Sequence, residues 1–174
     1  MPGRRRPSPS RTRHSGMPGG VEPVPEGRHT VVTRLVFDDA TAAIAFYQQA
    51  FGATLDEEPH RAPDGSVVHS EIRIGDSAVF LTDEGEDQNG VAPGTVGGLV
   101  TAIMSVNVPD VDALWERAVG AGCEVLYPLA DQFYGDRAGR LRDPFGHQWM
   151  LSTHIEDVDR DEINRRMQAW SENP

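Results

Sequence analysis

The sequence predicts an α+β fold: two tandem βαβββ modules forming a cupped mixed sheet, followed by a C-terminal helix. Three observations carry that reading. A β-branched run, a capped amphipathic helix ended by glycine, and three short strands follow one another in that order. The same order recurs about 70 residues further on. Caps and stops keep step, since Asp39 lies 13 residues before Gly52 and Asp110 lies 12 before Gly122.

In the first module, residues 29–37 (HTVVTRLVF) are dense in β-branched side chains and read as a strand. Asp38-Asp39 offers carboxylate oxygens to the free N–H groups of a first helical turn. Ala42, Ile44, Phe46, Tyr47 and Phe51 then recur at helical spacing until Gly52. Strands are predicted over 53–58, 66–74 and 77–82, because Pro63-Asp64-Gly65 and Gly75-Asp76 are turn sequences. The stretch 83–98 is acidic, glycine-rich and aperiodic, and reads as a linker or a mobile flap.

The second module opens with a strand over 99–108. Pro109-Asp110 starts a helix with Val111, Leu114, Trp115 and Val119 on its apolar side, and Gly120 and Gly122 end it. Strands follow over 123–127, 133–142 and 147–153. A last helix over 157–170 carries a stripe of Val158, Ile163, Met167 and Trp170, fit to pack on the domain or on a second subunit. The organisation expected is a basic tail (1–27), a domain (28–155, with modules 28–83 and 99–155 and a linker over 84–98), and a terminal helix and tail (156–174).

A chain of 174 residues suits one domain plus ends. Residues 1–27 are rich in Pro, Gly, Ser and Arg and bury too little to offset ordering entropy, so disorder is expected there. They read as a dispensable tail, with Met17 a possible true start, or as a basic arm. Five arginines against Glu22 and Glu26 give this tail a net of +3, leaving −14 for the rest of a chain whose total is −11. So acidic a body is a poor binder of phosphate backbones, and solubility accounts for the charge; no nucleic-acid partner is expected. Cys123 stands alone in an apolar strand pattern and reads as a buried structural thiol. No apolar run approaches the ~20 residues of a membrane span, and none follows Arg4-Arg5-Arg6 as a secretory signal requires, so a cytoplasmic location and no membrane partner are expected.

Certain residues carry a family resemblance. In the first half they are Asp39, Ala45-Phe46-Tyr47 and Phe51-Gly52-Ala53. In the second they are Val108-Pro109-Asp110-Val111-Asp112, Gly120-Ala121-Gly122 and Arg142-Asp143-Pro144-Phe145-Gly146-His147. Over about residues 29–155 the chain resembles the vicinal oxygen chelate superfamily of glyoxalase I, bleomycin-resistance proteins and extradiol dioxygenases. His69-Ser70-Glu71-Ile72-Arg73-Ile74-Gly75-Asp76 and Phe133-Tyr134-Gly135-Asp136-Arg137 look like its glyoxalase-like, bleomycin-resistance-like subgroup. The resemblance implies paired modules, a cupped sheet around a small-molecule ligand, and a homodimer. It also implies where a metal would sit: metal-dependent members place a His or Glu ligand on the first and last strand of each module. Counted from the matched motifs, those positions are Val32, Phe80, Thr101 and Met150. None offers imidazole or carboxylate lone pairs, so no metal and no cofactor is expected there. His69 and Glu71 share a face but supply only two ligands for any displaced site.

Strand alternation assigns the remaining faces. Arg34, Val36, Ala78, Thr82, Ile103, Ser105, Gln148 and Ser152 should point into the cup with those four. Val68, Ser70, Ile72 and Ile74 should face the helix, leaving His69, Glu71 and Arg73 for the cup. The candidate ligand-binding set is Arg34, His69, Glu71, Arg73, Phe80, Thr101, Ile103, Tyr134 and Met150, with no catalytic residue assigned. Glu71 reads as an ion-pair partner of Arg34 or Arg73, or as an acid/base partner of His69 acting on a carbonyl or phenol. Tyr134, Asp136 and Arg137, beside Gly135, line the pocket mouth or hold a dimer. His147 is expected to be structural, His154 to cap the final helix, and Trp115 and Trp149 to lie in the core. The function expected is metal-free sequestration of an aromatic or amphipathic compound such as an antibiotic, the acidic surface favouring a cationic drug. The alternative is a glyoxalase-type lyase or isomerase using His69 and Glu71 or a displaced metal.

Overall fold

The computed structural model describes residues 22–25, 27–85 and 90–172; the tail reading of 1–27, Met17 included, falls almost wholly outside them. Two modules follow one another. The first holds β1 (Thr33–Phe37), α1 (Ala40–Phe51), β2 (Thr54–Leu55), β3 (His60–Arg61), β4 (Val67–Ile74) and β5 (Ser77–Asp83). The second holds β6 (Ile103–Asn107), α2 (Val111–Gly120), β7 (Glu124–Asp131), β8 (Asp136–Arg142) and β9 (Gln148–His154), and α3 (Arg160–Glu172) ends the chain. Each module forms its own mixed sheet, in the orders β1-β5-β4-β2 and β6-β9-β8-β7, with β3 also pairing β4. In both, the first strand runs parallel to the last and the rest are antiparallel. The repeat is therefore real, and the cup is made from two sheets rather than one continuous sheet.

The helices form where capping chemistry places them. Asp39 accepts from the Ala42 N–H at 2.9 Å and Asp110 from that of Ala113 at 3.0 Å. Gly52 closes α1 at φ +66°, a left-handed turn that costs glycine nothing. Helix α1 buries Ala43, Ile44, Tyr47, Ala50 and Phe51, and α2 buries Val111, Leu114 and Ala118. Val119, expected on the apolar side, is instead exposed.

Several strand limits differ from expectation. Strands β1 and β6 begin at 33 and 103 rather than 29 and 99, because the residues before them have no neighbouring strand. The predicted strand over 53–58 shrinks to Thr54–Leu55, since Asp56-Glu57-Glu58 leads into Pro59, which has no N–H to give. The chain rejoins β4 as β3, which was not anticipated. Strand β7 runs on past Pro128 to Asp131 through two register shifts, as an edge strand can. Helix α3 starts at 160, where Asp159 accepts from the N–H groups of Asp161 and Glu162.

Asp143 locks the modules together. It is 3% exposed, and its Oδ2 accepts from the Tyr47 hydroxyl at 2.6 Å and from Trp149 Nε1 at 2.9 Å. Its Oδ1 accepts the N–H groups of Phe145 and His147, which shapes the Asp-Pro-Phe-Gly turn. Around it Phe37, Phe46, Tyr47, Phe51, Phe145 and Trp149 meet mostly edge to face. Arg117 adds a hydrogen bond from α2 to the Ala50 carbonyl of α1 at 2.9 Å. Burial pushes the Cys123 thiol up to about 12, so it is inert packing, as expected. The described part of the 84–98 linker is tied down by Glu84, which accepts from Ala92 N–H and the Thr95 hydroxyl. Among the described residues no helix is long and apolar enough to cross a membrane.

Candidate functional site

Each sheet buries one face under its helix and leaves the other open. On the first sheet Arg34, Phe80 and Glu71 are in register across β1, β5 and β4, so they share the open face. Leu35, Ile72 and Leu81 lie on the buried one. His69 and Arg73 flank Glu71 at two-residue spacing, where alternation puts them. Phe80 is the centre of this face. The guanidiniums of Arg28 and Arg34 lie 5.1 and 5.8 Å from its ring centroid, and the His69 ring meets it edge-on at 4.9 Å. His60 stacks on His69 at 6.0 Å.

Glu71 is an ion-pair residue, but Arg34 is not its partner. Arg28, which comes from outside the strands, donates to Oε2, and Arg73 approaches Oε1 at 3.4 Å. Arg73 also reaches Asp56 at 2.9 Å and the Gly27 carbonyl at 2.9 Å. No hydrogen bond joins Glu71 to His69. Burial, then the positive charge of Arg34 and the proximity of His60, hold the His69 imidazole below its ordinary value, so it is neutral near pH 7. A niche of about 350 Å³ opens here, walled by Arg28, Glu58, His60, His69, Glu71 and Arg73.

On the second sheet the corresponding row is Ser105, Met150, Arg140 and Tyr127. Arg140 lies 5.0 Å from the Tyr127 ring centroid, and its Nε is buried without an acceptor. Tyr134 stands close by. Burial and Asp136 raise its phenol, while Arg140 pulls the other way. Ile103 ends the neighbouring row opposite Gln148. Val32 and Thr101 precede β1 and β6, so neither belongs to a strand row. A groove of about 860 Å³ runs between the sheets' free edges, lined by residues such as Val32, Thr33, Val79, Ile103 and Ser105.

Other candidates have structural roles. Arg137, expected at the mouth or a dimer contact, bonds Asp112 on α2 at 2.7 and 2.8 Å and Asp131 at 3.0 Å. His147 meets the Val36 carbonyl at 3.0 Å and the Phe37 ring, as a structural histidine should. His154 does not cap α3; Asp159 does. Its two ring nitrogens instead meet Asp136 at 2.8 Å and Asp157 at 3.0 Å, a bridge in which both donate only when the ring is protonated.

Asp157 and then Asp136 raise the His154 imidazole above its ordinary value of about 6.5. Its folded value exceeds its unfolded one. The bridge therefore contributes in full below pH ~6.5 and fades as pH rises through the folded value. Melting curves across pH 5 to 9 (a range of about four units) should show stability falling on the alkaline side, and His154→Gln should flatten that fall. An unchanged slope in the variant would assign the dependence elsewhere.

The residues missed by sequence reasoning are Arg28, Tyr127 and Arg140. Counting two back from Arg142 along β8 finds Arg140. Nothing local marks Arg28, which acts from the irregular lead-in. The family metal positions do not fit a metal: Phe80 and Met150 present an aromatic ring and a thioether, and Val32 and Thr101 a hydrocarbon and a hydroxyl. Among the described residues no three His, Cys, Asp or Glu side chains are grouped to hold one.

The family model described as Glyoxalase/Bleomycin resistance protein/Dioxygenase superfamily matches residues 28–151. The uncharacterized protein Mb0911c of Mycobacterium bovis is 41% identical over 139 residues, 78% of this chain and 90% of that protein. The uncharacterized protein Rv0887c of Mycobacterium tuberculosis is likewise 41% identical over 139 residues, 78% of this chain and 80% of that protein. Among solved structures, TioX from Micromonospora sp. ML1 aligns with a TM-score of 0.58 at 28% identity, over 72% of this chain and 98% of TioX.

Proposed function

The chain belongs to the glyoxalase/bleomycin resistance protein/dioxygenase superfamily, and we propose that it is a metal-free binding protein that holds an aromatic or amphipathic small molecule, such as an antibiotic, in its cup. The observation that carries this reading is the chemistry of the two open faces. Phe80 stands among two guanidiniums and an imidazole, and Met150 and Tyr127 stand beside Arg140. Apolar surface with a few directed polar groups is what a small-molecule site needs. Catalysis by His69 and Glu71 has weaker support, because both Glu71 oxygens are engaged by arginines.

The homodimer belongs to this proposal. Strands β1 and β6 each pair on one side only, and an open strand edge is a template for another chain. A second copy seated along these edges brings a first-module face of one protomer against a second-module face of the other and encloses the ligand. Its one thiol, buried and unpaired, suits a reducing cytoplasm.

Melting shifts against a panel of aromatic natural products test the binding. A ligand at about 100 times its Kd adds about 2.7 kcal/mol, which for a domain of this size is a rise of about 5–10 °C. Phe80→Ala should abolish most of that shift. Light scattering should give twice the 19.0 kDa chain mass. A protein indifferent to the whole panel, yet turning over a carbonyl substrate with loss on Glu71→Gln, would overturn the reading in favour of an enzyme.

A further inference from the structure

Carboxylates are abundant in this chain, with 27 Asp and Glu against 16 Lys and Arg, and several arginines in and beside the described sheets use them. Arg28 and Arg73 hold Glu71, Arg142 holds Glu124 at 3.1 Å, and Arg137 holds Asp112 and Asp131. Two arginines on the open faces do not. Arg34 lies against Phe80 and near His69, and Arg140 against Tyr127 and near Tyr134, and neither has a carboxylate partner among the described residues. Arg140 goes further: it is half-buried, and its Nε–H is buried with nothing to donate to, as is that of Arg142, whose Nη1 by contrast reaches Glu124. A buried donor without an acceptor is destabilising, and proteins rarely keep one that nothing meets.

The geometry of the guanidinium says what would meet it. The two Nη–H groups, which unlike Nε are not buried, form the outer edge of a planar fork, spaced for the two oxygens of a carboxylate. Tyr127 lies against that plane, and Met150 is next in register. A planar ring can lie there while its acid group meets the fork. We infer that the cup takes an aromatic carboxylate, or an equally planar aromatic oxyanion, whose anionic group is received by Arg140, with Arg34 setting a second positive charge on the other sheet's open face. This rests on the binding reading above. It also reverses the ligand charge expected from net acidity: the −11 belongs to the chain as a whole, whereas the open faces carry the uncompensated cations.

Titration calorimetry of the full-length protein with three naphthalenes tests it: 1-naphthoate, the neutral 1-naphthamide and cationic 1-naphthylmethylammonium. Naphthoate should bind about 10-fold or more tightly than the amide, as a charge-assisted hydrogen bond to a half-buried guanidinium requires. Arg140→Gln should erase that preference, the loss in affinity falling on naphthoate far more than on the amide. Arg140→Lys should restore only part of it, because an ammonium is a point charge and not a fork. Equal affinity for naphthoate and naphthamide, or tightest binding of the ammonium, overturns the anion assignment and leaves the binding reading standing. Preference for naphthoate that survives Arg140→Gln overturns the role of Arg140. Binding of none of the three at millimolar concentration overturns both. Should the variant fail to fold, the three ligands on the unaltered protein still decide the charge.

Discussion

Asp143→Ala should lower the melting temperature by about 6–20 °C, read by calorimetry or circular dichroism. The carboxylate is 3% exposed and accepts from four donors: the Tyr47 hydroxyl, Trp149 Nε1, and the N–H groups of Phe145 and His147. Alanine leaves all four in a core that water does not reach. Breaking a buried charged network of this kind costs about 3–5 kcal/mol, and at ~2–4 °C per kcal/mol that gives the shift named. Asp143→Asn should fall between, because an amide keeps one acceptor oxygen. Tyr47→Phe should cost about 1 kcal/mol, removing one donor and stranding nothing. Since Tyr47 comes from the first module and Trp149 from the second, Asp143→Ala should also broaden the transition. A melting point within about 2 °C of the unaltered protein would show that the packed rings alone join the modules.

How much of this was legible depends on how local each cause is. The two module helices are legible almost to the residue, because the caps Asp39 and Asp110 and the stop Gly52 act within one turn of chain. Strand ends were less legible, because a strand exists only where a neighbour pairs with it. Residues 29–32 have the β-branched composition of a strand and no partner. The family resemblance places Phe80 and Met150 on the open face, the period of two adds Arg34, His69, Glu71 and Arg73, and the registers agree with those faces. The partner of Glu71 did not follow. It is Arg28, five residues before β1, and alternation says nothing of a residue outside a strand. Arg140 stayed hidden for a related reason: the predicted strand over 133–142 had no face assigned to it. In the sequence Asp143 is legible only as part of a turn motif. Its reach to Tyr47, 96 residues away, is a tertiary fact.

Gly135→Ala should release α3 while leaving the two sheets intact. Gly135 sits at φ +98°, where an L-residue is strained by about 1–2 kcal/mol. That alone is modest. Gly75 has φ +61° with no heavy atom within 4 Å of an added Cβ, and Gly75→Ala should cost only about 1 kcal/mol. At Gly135 the added Cβ would lie 2.2 Å from the Glu156 carbonyl oxygen and 2.9 Å from Val158 Cγ2. The first is backbone and has no rotamer to escape into. It belongs to the segment whose Ile155 and Glu156 N–H groups donate to the Gly135 carbonyl at 2.9 and 3.0 Å, so the clash breaks the contact that holds the segment down. The expected cost is about 3 kcal/mol or more, concentrated where α3 docks. Hydrogen exchange should therefore quicken over 155–172 and stay slow in β4, β5, β8 and β9. The same variant should lose the alkaline fall in stability assigned to His154, because the imidazole can bridge Asp136 and Asp157 only while this segment stays against β8. Unchanged exchange over 155–172 would mean that Phe133 against Trp170 and Arg166 on Glu156 hold the helix without the glycine.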